Sequence, residues 1–327
     1  MATAHHHPQI ASLLTLSARL GRDPLLVQAS SGNTSVKLDG VLWIKASGKW
    51  LASAMDEDSL VPASLDQVRG CMRQGLDYRS IRAGTSGCEL RASIETAMHA
   101  VMPHRVVVHV HSVNAIAWAV RRDAPERMAE LLSGLPWQWI PYVASGLPLA
   151  QEIGRALERD PAATVFVLGN HGLVVGADTC AEAAALLDQV EQRIAVQPRP
   201  PRQAPVRLKP RAQWRLPANP ALHALGADAV SFRILQQGVL YPCQAIFLQE
   251  PTGDAAYVAA AGRGVLVSAS ITKTQSAILG GLLEVVQRID ENAPIRYLLP
   301  SELEALLSAD VYRYRQKVES NAKTRVV

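Results

Sequence analysis

The first part of the sequence, to about residue 194, predicts an α/β fold. Runs of apolar residues at helical spacing alternate there with short runs rich in β-branched residues. Hydrophobic residues make up 48% of the 327-residue chain and charged residues 19%, which allows a packed core and excludes wholesale disorder. A stretch rich in proline and arginine ends the alternation, and a smaller α+β unit is predicted beyond it.

The first elements follow from periodicity and turn signals. Residues 10–20 have helical spacing, and Gly21 closes that segment. Asp39 and Gly40 predict a tight turn between strands at residues 36–38 and 41–44. A helix is predicted at residues 90–102 because Pro103 stops the pattern, and the apolar run at 106–110 is typical of a buried strand.

The same alternation continues to the end of this part. We predict helices at residues 114–121 and 151–158, and strands at 164–168 and 173–175. Thr179 and Glu182 have the spacing of a capping box, which predicts a helix from there to about residue 194.

Residues 197–220 form the predicted domain boundary. Their repeated prolines cannot sustain a helix or an inner strand. We therefore divide the chain into a first domain at 1–196, a linker at 197–220 and a small α+β domain at 221–327. In the last unit, strand-like runs occur at 229–234, 245–248 and 265–267. Helices are predicted at 274–289, from Ser301 onwards, and at 311–323.

Charge and cysteine usage restrict partners and compartment. The net charge is +4, but much of the excess lies in the Pro/Arg stretch and no aromatic and basic residues interleave, so we expect no nucleic-acid partner. The four cysteines form no C-x-x-C pair, which fits a reducing, cytoplasmic compartment. No signal peptide is evident and no apolar run reaches the length of a membrane span, so we expect no membrane association.

Three histidines and one glutamate are the candidates for chemistry. His109 and His111 end an apolar strand, where alternate side chains point the same way. His171 lies in a glycine-flanked turn and can supply a third nitrogen, leaving metal positions open for a substrate. Glu95 precedes the H-x-H strand, and a carboxylate near a metal can move a proton beside a polarised carbonyl. An H-x-H pair alone is equally typical of a structural role.

Two further features of the sequence, His99 and a pair of polar loops, each allow a functional and a structural interpretation. His99 follows Glu95 by one helical turn, so it either orients that carboxylate or is a partly buried histidine with satisfied hydrogen bonds. Two loops carry backbone N–H groups and small polar side chains suited to an anion such as phosphate: Ser30, Gly32, Asn33, Thr34 and Ser35 in one, and Ser47 and Gly48 in the other. Either loop alone is also typical of a simple turn.

Taken in order, these motifs resemble one known family. The chain shows Gly32-Asn33-Thr34-Ser35-Val36-Lys37, Ala46-Ser47-Gly48, Glu57-Asp58-Ser59-Leu60-Val61, Ser93-Ile94-Glu95, His109-Val110-His111, Pro141-Tyr142 and Asn170-His171-Gly172-Leu173. Their order and spacing resemble the class II aldolase/adducin family, which includes fuculose-phosphate aldolase and ribulose-phosphate epimerase. The resemblance covers about residues 10–195.

The resemblance implies a fold, an assembly and a metal centre. It implies an α/β/α sandwich around a central, mainly antiparallel sheet, in a homo-oligomer that is often a cyclic tetramer. It also implies that His109, His111 and His171 bind Zn²⁺, although three histidines also accept Fe²⁺, Mn²⁺ or Co²⁺. The domain beyond the linker is absent from compact members of the family.

The resemblance further assigns roles in catalysis and substrate binding. Glu95 becomes the acid–base that removes or returns the proton of an enediolate donor, and Tyr142 is the second candidate for proton transfer. The implied substrate- or phosphate-binding positions are Ser30, Asn33, Ser47, Gly48 and Ser93. Asn33, Ser47 and Gly48 are those implied to bind the phosphate itself. Ile94 departs from the pair of hydroxyl residues that fuculose-phosphate enzymes have before the glutamate, which weakens one phosphate contact.

The leading interpretation is a metal-dependent aldolase or lyase that acts on a small keto sugar or sugar phosphate through an enediolate. The same site would also suit an epimerase, a decarboxylase, a dehydratase or an iron oxygenase, since chemistry depends on the site rather than on the fold. A non-enzymatic, adducin-like interaction module is the third possibility. Retention of all three histidines and Glu95 favours an enzyme.

Overall fold

The computed structural model describes residues 7–79, 81, 90–200, 208–211, 213–248 and 255–308. Its centre is a seven-stranded sheet with the strand order β3-β2-β1-β4-β7-β6-β5. The strands are β1 (Asn33–Leu38), β2 (Val41–Lys45), β3 (Leu60–Ser64), β4 (Val106–Val110), β5 (Trp137–Ile140), β6 (Val165–Leu168) and β7 (Gly172–Ala177). Only the β5–β6 pair is parallel among these neighbours, so the predicted, mainly antiparallel sheet is confirmed.

Helices cover both faces of this sheet, which confirms the predicted α/β/α sandwich. The helices of this part are α1 (Pro8–Arg22), α2 (Leu65–Gln74), α3 (Thr96–Val101), α4 (Val113–Ala119), α5 (Ala124–Leu131), α6 (Leu147–Arg159) and α7 (Cys180–Ile194). Val106, Val108 and Val110 pack with residues of α1, α4 and α7. Val107, which alternates with them, packs with residues of α3 and α6 on the opposite face.

The segment that leads to α3 differs from the prediction. The helix expected at residues 90–102 begins only at Thr96. Ala92 instead forms an antiparallel bridge with Ala46, and the backbone N–H of Ser47 donates to the carbonyl oxygen of Arg91 at 2.8 Å. This pairing draws residues 91–92 alongside the end of β2, so Glu95 lies at the N-cap of the helix rather than within it.

The C-terminal segment contains helices where two strands were expected. Its elements are β8 (Trp214–Arg215), α8 (Ala224–Ala227), α9 (Ala229–Gln236), α10 (Pro242–Leu248), β9 (Tyr257–Ala260), β10 (Gly264–Ser268), α11 (Lys273–Arg288) and α12 (Pro300–Ser308). The runs at 229–234 and 245–248 belong to α9 and α10, so their prediction as strands was wrong. A side-chain cap from Asp228 starts α9, and Pro242 opens α10. The helix predicted at 311–323 lies outside the described residues.

The C-terminal segment packs directly on the first part of the chain. Val113, Ile116 and Val120, in and just after α4, share one core with residues of α9, α10 and α11. Within the predicted linker, β8 pairs with β10 in a three-stranded sheet ordered β8-β10-β9. The division at residues 197–220 remains a prediction. None of the helices in the described ranges combines the length and apolar character that crossing a bilayer requires.

Asn170 joins the β6–β7 turn to the C-terminal segment. Its backbone has φ +52°, in the left-handed region. Its side-chain nitrogen donates to the carbonyl oxygens of Leu240 and Arg296, both at 2.8 Å. Its side-chain oxygen accepts from the Arg296 guanidinium at 2.9 Å.

We expect Asn170→Gly to lower the free energy of unfolding by about 3 kcal/mol. Glycine accepts the positive φ, so this variant isolates the loss of three hydrogen bonds worth ~0.5–1.5 kcal/mol each. Asn170→Ala should be worse by about a further 1 kcal/mol, because alanine is strained in the left-handed region. Urea denaturation checks both values, and equal stability of Asn170→Gly and the unmodified protein would contradict them.

Candidate metal centre

The sheet brings the three candidate histidines together from two neighbouring strands. His109 lies in β4, on the face that Val107 shares with α3 and α6, and His111 follows the end of that strand. His171 precedes β7, which pairs with β4 so that Val110 faces Leu173. Gly172 permits this close approach, since a Cβ there would lie 2.5 Å from the carbonyl oxygen of Val110. The end of one strand and the start of the other therefore meet at one point.

The three imidazoles form a nearly equilateral cluster. Their ring centroids are 5.0 Å apart for His109 and His111, 4.9 Å for His109 and His171, and 5.0 Å for His111 and His171. One nitrogen from each ring lies within 4.8 Å of the others, and all three side chains are buried. Such a cluster could hold a metal ion through three nitrogen atoms, with positions left open for other ligands.

The protonation of His109 fits metal binding. Its Nδ1 lies 3.0 Å from the carbonyl oxygen of Leu173, which can only accept, so Nδ1 carries the proton. Its Nε2 is buried and has no hydrogen-bond partner among the described residues. Burial lowers the pKa of His109 to about 4, although the carboxylate of Glu95 acts in the opposite direction. A neutral ring with a free Nε2 lone pair is the form that coordinates a metal.

Glu95 lies against the same cluster. Its Oε1 is 3.3 Å from Nε2 of His171, and its Oε2 is 3.6 Å from Nε2 of His109. Burial alone would raise the pKa of Glu95, but interactions with His109 and His171 outweigh it and hold the pKa well below its usual range. Glu95 is therefore a carboxylate at neutral pH, the form that accepts a proton.

A hydrogen-bond chain orients this carboxylate. The Asn33 side-chain nitrogen donates to Oε2 of Glu95 at 2.6 Å and to the Ser93 hydroxyl at 3.3 Å. The Asn33 side-chain oxygen accepts from Nε2 of His99 at 2.5 Å, and the Ser35 hydroxyl lies 2.7 Å from Nδ1 of that ring. His99 is fully buried and reaches Glu95 through Asn33, which combines the two interpretations drawn from the sequence.

The other predicted phosphate-binding residues lie beside this chain. The Ala46–Ala92 bridge puts Ser47 and Gly48 next to the segment that leads to Ser93. Ser30 is fully buried, and its carbonyl oxygen accepts from Nζ of Lys45 at 2.8 Å. Their role in binding phosphate remains a prediction.

Tyr142 faces the C-terminal segment. The guanidinium of Arg296 lies 5.2 Å from the centre of its ring, a cation–π distance. Burial, reinforced by the charge of Glu302, raises the pKa of Tyr142 to about 12. Its role in proton transfer also remains a prediction.

A small cavity of about 20 Å³ adjoins the histidines and has room for about one water molecule. Its walls include Gly32, Ile94, Glu95, Ser145, His111 and His171. Pro242, Cys243 and Ile246 of α10 form the remaining wall. The C-terminal segment therefore covers the histidine cluster.

Two polar residues of this cavity escaped the sequence reasoning. Ser145 donates to Oε1 of Glu95 at 3.3 Å, and Sγ of Cys243 lies 3.3 Å from Nδ1 of His111. Ser145 lies in a loop with no recognisable motif. Cys243 is more than 70 residues along the chain from the nearest of the histidines, and it lies just before the run at 245–248 that the sequence predicts as a strand. No spacing pattern in a single sequence could have linked either residue to the site.

Comparison with known proteins identifies the family. The chain belongs to the family described as Class II Aldolase and Adducin N-terminal domain, which matches residues 3–197. This confirms the resemblance inferred from the motifs. Residues beyond 197, α10 among them, lie outside the matched region.

Individual relatives match the same part. The "Uncharacterized oxidoreductase YuxG" of Bacillus subtilis (strain 168) is 28% identical over an alignment of 205 residues, and the match covers 57% of this chain and 29% of that protein. The chain thus spans less than a third of that relative. The N-terminal class II aldolase domain of a Thermoplasma acidophilum protein is 25% identical with a TM-score of 0.49, covering 57% of this chain and 91% of that one. The L-fuculose-1-phosphate aldolase of Thermus thermophilus is 21% identical with a TM-score of 0.39, covering 56% and 92% respectively.

Proposed function

We propose that this protein is a metal-dependent lyase that cleaves or forms a carbon–carbon bond in a small keto sugar or sugar phosphate. The observation that carries the proposal is the position of Glu95. Its carboxylate lies 3.3 and 3.6 Å from two rings of a buried three-histidine cluster. A metal centre beside a carboxylate is the arrangement that proton transfer next to a carbonyl requires.

His109, His111 and His171 would hold the metal. Zinc is the first candidate for three imidazoles with open positions, and iron, manganese and cobalt are alternatives. When bound, the metal supplies a Lewis acid that stabilises the negative charge developing on a carbonyl oxygen. The unpartnered Nε2 of His109 supports this assignment, because a buried nitrogen without a hydrogen-bond partner is costly unless something else occupies it.

Glu95 would move the proton at the carbon next to that carbonyl. In the condensation direction the Glu95 carboxylate would take that proton to form the enediolate, and it would then give the proton to the alkoxide that forms when the carbon–carbon bond closes. Cleavage would run in reverse: Glu95 takes the proton of the substrate hydroxyl as the bond breaks and returns it to the enediolate carbon. Asn33 and Ser145 aim its two oxygens through hydrogen bonds of 2.6 and 3.3 Å. These hydrogen bonds fix the carboxylate before the substrate binds. Holding a reacting group in place in advance lowers the activation barrier, because less entropy is lost in reaching the transition state.

The substrate would enter from the side of the phosphate-binding candidates. Ser47 and Gly48 lie alongside the segment that leads through Ser93 to Glu95, and Ser30 lies in the loop before β1. Their hydroxyl or backbone N–H groups would bind a phosphate if the substrate carries one. A cavity of about 20 Å³ is smaller than any keto sugar, so part of its wall must draw back when substrate binds.

Asn33→Ala separates two roles of Asn33. If Asn33 positions Glu95, turnover of phosphorylated and unphosphorylated substrates should fall together, about tenfold or more, since a hydrogen bond to a charged group is worth ~1.5–3 kcal/mol. If it binds phosphate, only phosphorylated substrates should suffer. Steady-state kinetics on a sugar and its phosphate check this, with Ser47→Ala as the matched control outside the Glu95 hydrogen-bond chain. A loss confined to phosphorylated substrates would contradict the positioning role.

The proposed function is tested by metal analysis followed by a substrate panel. The purified chain should contain about one equivalent of zinc, iron, manganese or cobalt, and the metal-loaded protein should cleave one of a set of ketoses and ketose phosphates. Product analysis separates cleavage from epimerisation, decarboxylation, dehydration and oxygenation. A protein that binds none of these metals and turns over no member of the panel would favour the adducin-like interaction module instead.

A further inference from the structure

Cys243 approaches the candidate metal centre from outside the family-matched region. It lies in α10 and is 2% exposed. Its Sγ is 3.3 Å from Nδ1 of His111, within hydrogen-bonding distance for sulfur. It also lines the small cavity together with Glu95 and His171. The sulfur is thus placed against a proposed metal ligand and not simply within the hydrophobic core.

The orientation of the three rings shows which nitrogen of His111 faces the centre. His109 directs Nδ1 to the Leu173 carbonyl and Nε2 towards Glu95. His171 also directs Nε2 towards Glu95. In His111, Nδ1 faces Cys243, which leaves Nε2 for the centre. All three rings therefore present the same nitrogen inwards.

The direction of the Cys243 hydrogen bond then decides whether His111 can bind a metal. If the thiol donates to Nδ1, a neutral ring carries its proton on Nε2, and that nitrogen has no lone pair for an ion. If Nδ1–H donates to the sulfur, the lone pair of the neutral ring lies on Nε2, where it can coordinate an ion. The outer N–H of a metal-binding imidazole is usually held by a hydrogen-bond acceptor, most often a carboxylate, a backbone carbonyl or water, which fixes both the tautomer and the ring orientation. In His111 the sulfur of Cys243 would take this role.

The position of Cys243 is fixed by the same turn that carries His171. Asn170 donates to the carbonyl oxygen of Leu240, just before α10. The backbone N–H of Leu240 donates in turn to the side-chain oxygen of Gln244, inside that helix, at 2.7 Å. The start of α10 is therefore tied to the residue that precedes His171.

We propose that Cys243 is a positioning residue of this centre, whose sulfur accepts from Nδ1–H of His111 and presents Nε2 to the metal. The inference rests on the proposed metal-dependent function, and it gives the C-terminal segment a specific part in that function. Residues that hold the outer nitrogen of a ligand typically affect metal affinity by about 10–100-fold.

The experiment compares Cys243→Ala and Cys243→Ser in the full chain, with Cys71→Ala on α2 as the matched control. Zinc affinity is measured by competition with a chromophoric chelator. We expect Cys243→Ala to weaken zinc binding about 10–100-fold and Cys243→Ser, which keeps an acceptor, to restore part of the loss. The visible spectrum of the cobalt-loaded protein should show four-ligand or five-ligand nitrogen and oxygen coordination without sulfur.

A second measurement needs no metal. Nitrogen-15 NMR of histidine-labelled, metal-free protein reports the tautomer of each ring, and His111→Asn identifies the signal of His111. We expect the Nδ1–H form of His111 in the unmodified protein and in Cys243→Ser, and its loss in Cys243→Ala. This measurement remains informative if Cys243→Ala is destabilised, because Cys243→Ser should still show the Nδ1–H form of His111.

Three results would overturn the inference. They are zinc affinity in Cys243→Ala equal to that of the control, an unchanged tautomer of His111, and a strong sulfur-to-cobalt charge-transfer band that disappears in Cys243→Ala. The last would make Cys243 a ligand itself. If no variant binds zinc, the proposed metal-dependent function fails, while the tautomer of His111 still decides whether Cys243 controls that ring.

Discussion

Glu95→Gln is expected to lose turnover by ~10²-fold or more while keeping its metal. The substitution retains the shape of the side chain and removes its ability to take up a proton. Because the pKa of Glu95 is held well below its usual range, the carboxylate form is fully present at neutral pH and would be the working base there. The effect should therefore appear in kcat rather than in substrate affinity.

The measurement pairs steady-state kinetics with metal content. Glu152→Gln, at an exposed ion pair on α6, is the matched control and should behave as the unmodified protein. The metal content of Glu95→Gln should stay at one equivalent, since Glu95 is not a proposed ligand. Near-normal kcat in Glu95→Gln would show that another group moves the proton, and Tyr142 would be the next residue to test.

Strong local signals allowed most of the first part of the fold to be predicted from sequence. The Asp39-Gly40 turn separates β1 from β2, and the capping box at Thr179 starts α7 with both of its hydrogen bonds formed. Each of these elements is specified by residues that touch one another along the chain. Their local chemistry agrees with the tertiary structure, which is why the alternation of helices and strands was sufficient.

The errors arose where tertiary contacts decide the conformation. Residues 90–95 have helical periodicity, but Ala92 pairs with Ala46 and a turn at Ile94 and Glu95 follows, so the helix begins only at Thr96. The runs at 229–234 and 245–248 are too short for periodicity to distinguish a buried helix from a buried strand. A single sequence does not show which distant segment of the chain pairs or packs with these residues, and that contact decides their conformation.

The residues of the candidate site also fall into two groups, those that sequence motifs indicate and those that only tertiary packing brings to the site. His109, His111, His171 and Glu95 form recognisable short motifs, so they could be proposed from sequence. Cys243 and Ser145 belong to no motif and reach the cluster only through packing. The contribution of α10 therefore depends on its contact with the first part of the chain. The predicted boundary at residues 197–220 placed α10 in a separate unit, so this contact was not indicated by the sequence.

His109→Ala is expected to abolish stable metal binding and, with it, turnover. A centre with three protein ligands that loses one is left with two, and Nε2 of His109 is a buried nitrogen with no hydrogen-bond partner among the described residues. In the unmodified protein, zinc at 100 times its Kd should raise the free energy of unfolding by about 2.7 kcal/mol, because it binds the folded chain. The variant should show no such stabilisation. Metal analysis after gel filtration and urea denaturation with and without zinc measure both effects.

Two further variants separate loss of a ligand from loss of structure. His109→Gln keeps a polar side chain of similar reach in the buried position, so it should fold while failing to hold zinc with normal affinity. His223→Ala removes a histidine outside the cluster, whose Nδ1 accepts a hydrogen bond from the backbone N–H of Val265, and this variant should keep both metal and stabilisation by zinc. If His109→Gln retained one equivalent of zinc and full stabilisation, His109 would not be a ligand. The orphaned Nε2 of His109 would then need another explanation, and the three-histidine centre would have to be abandoned.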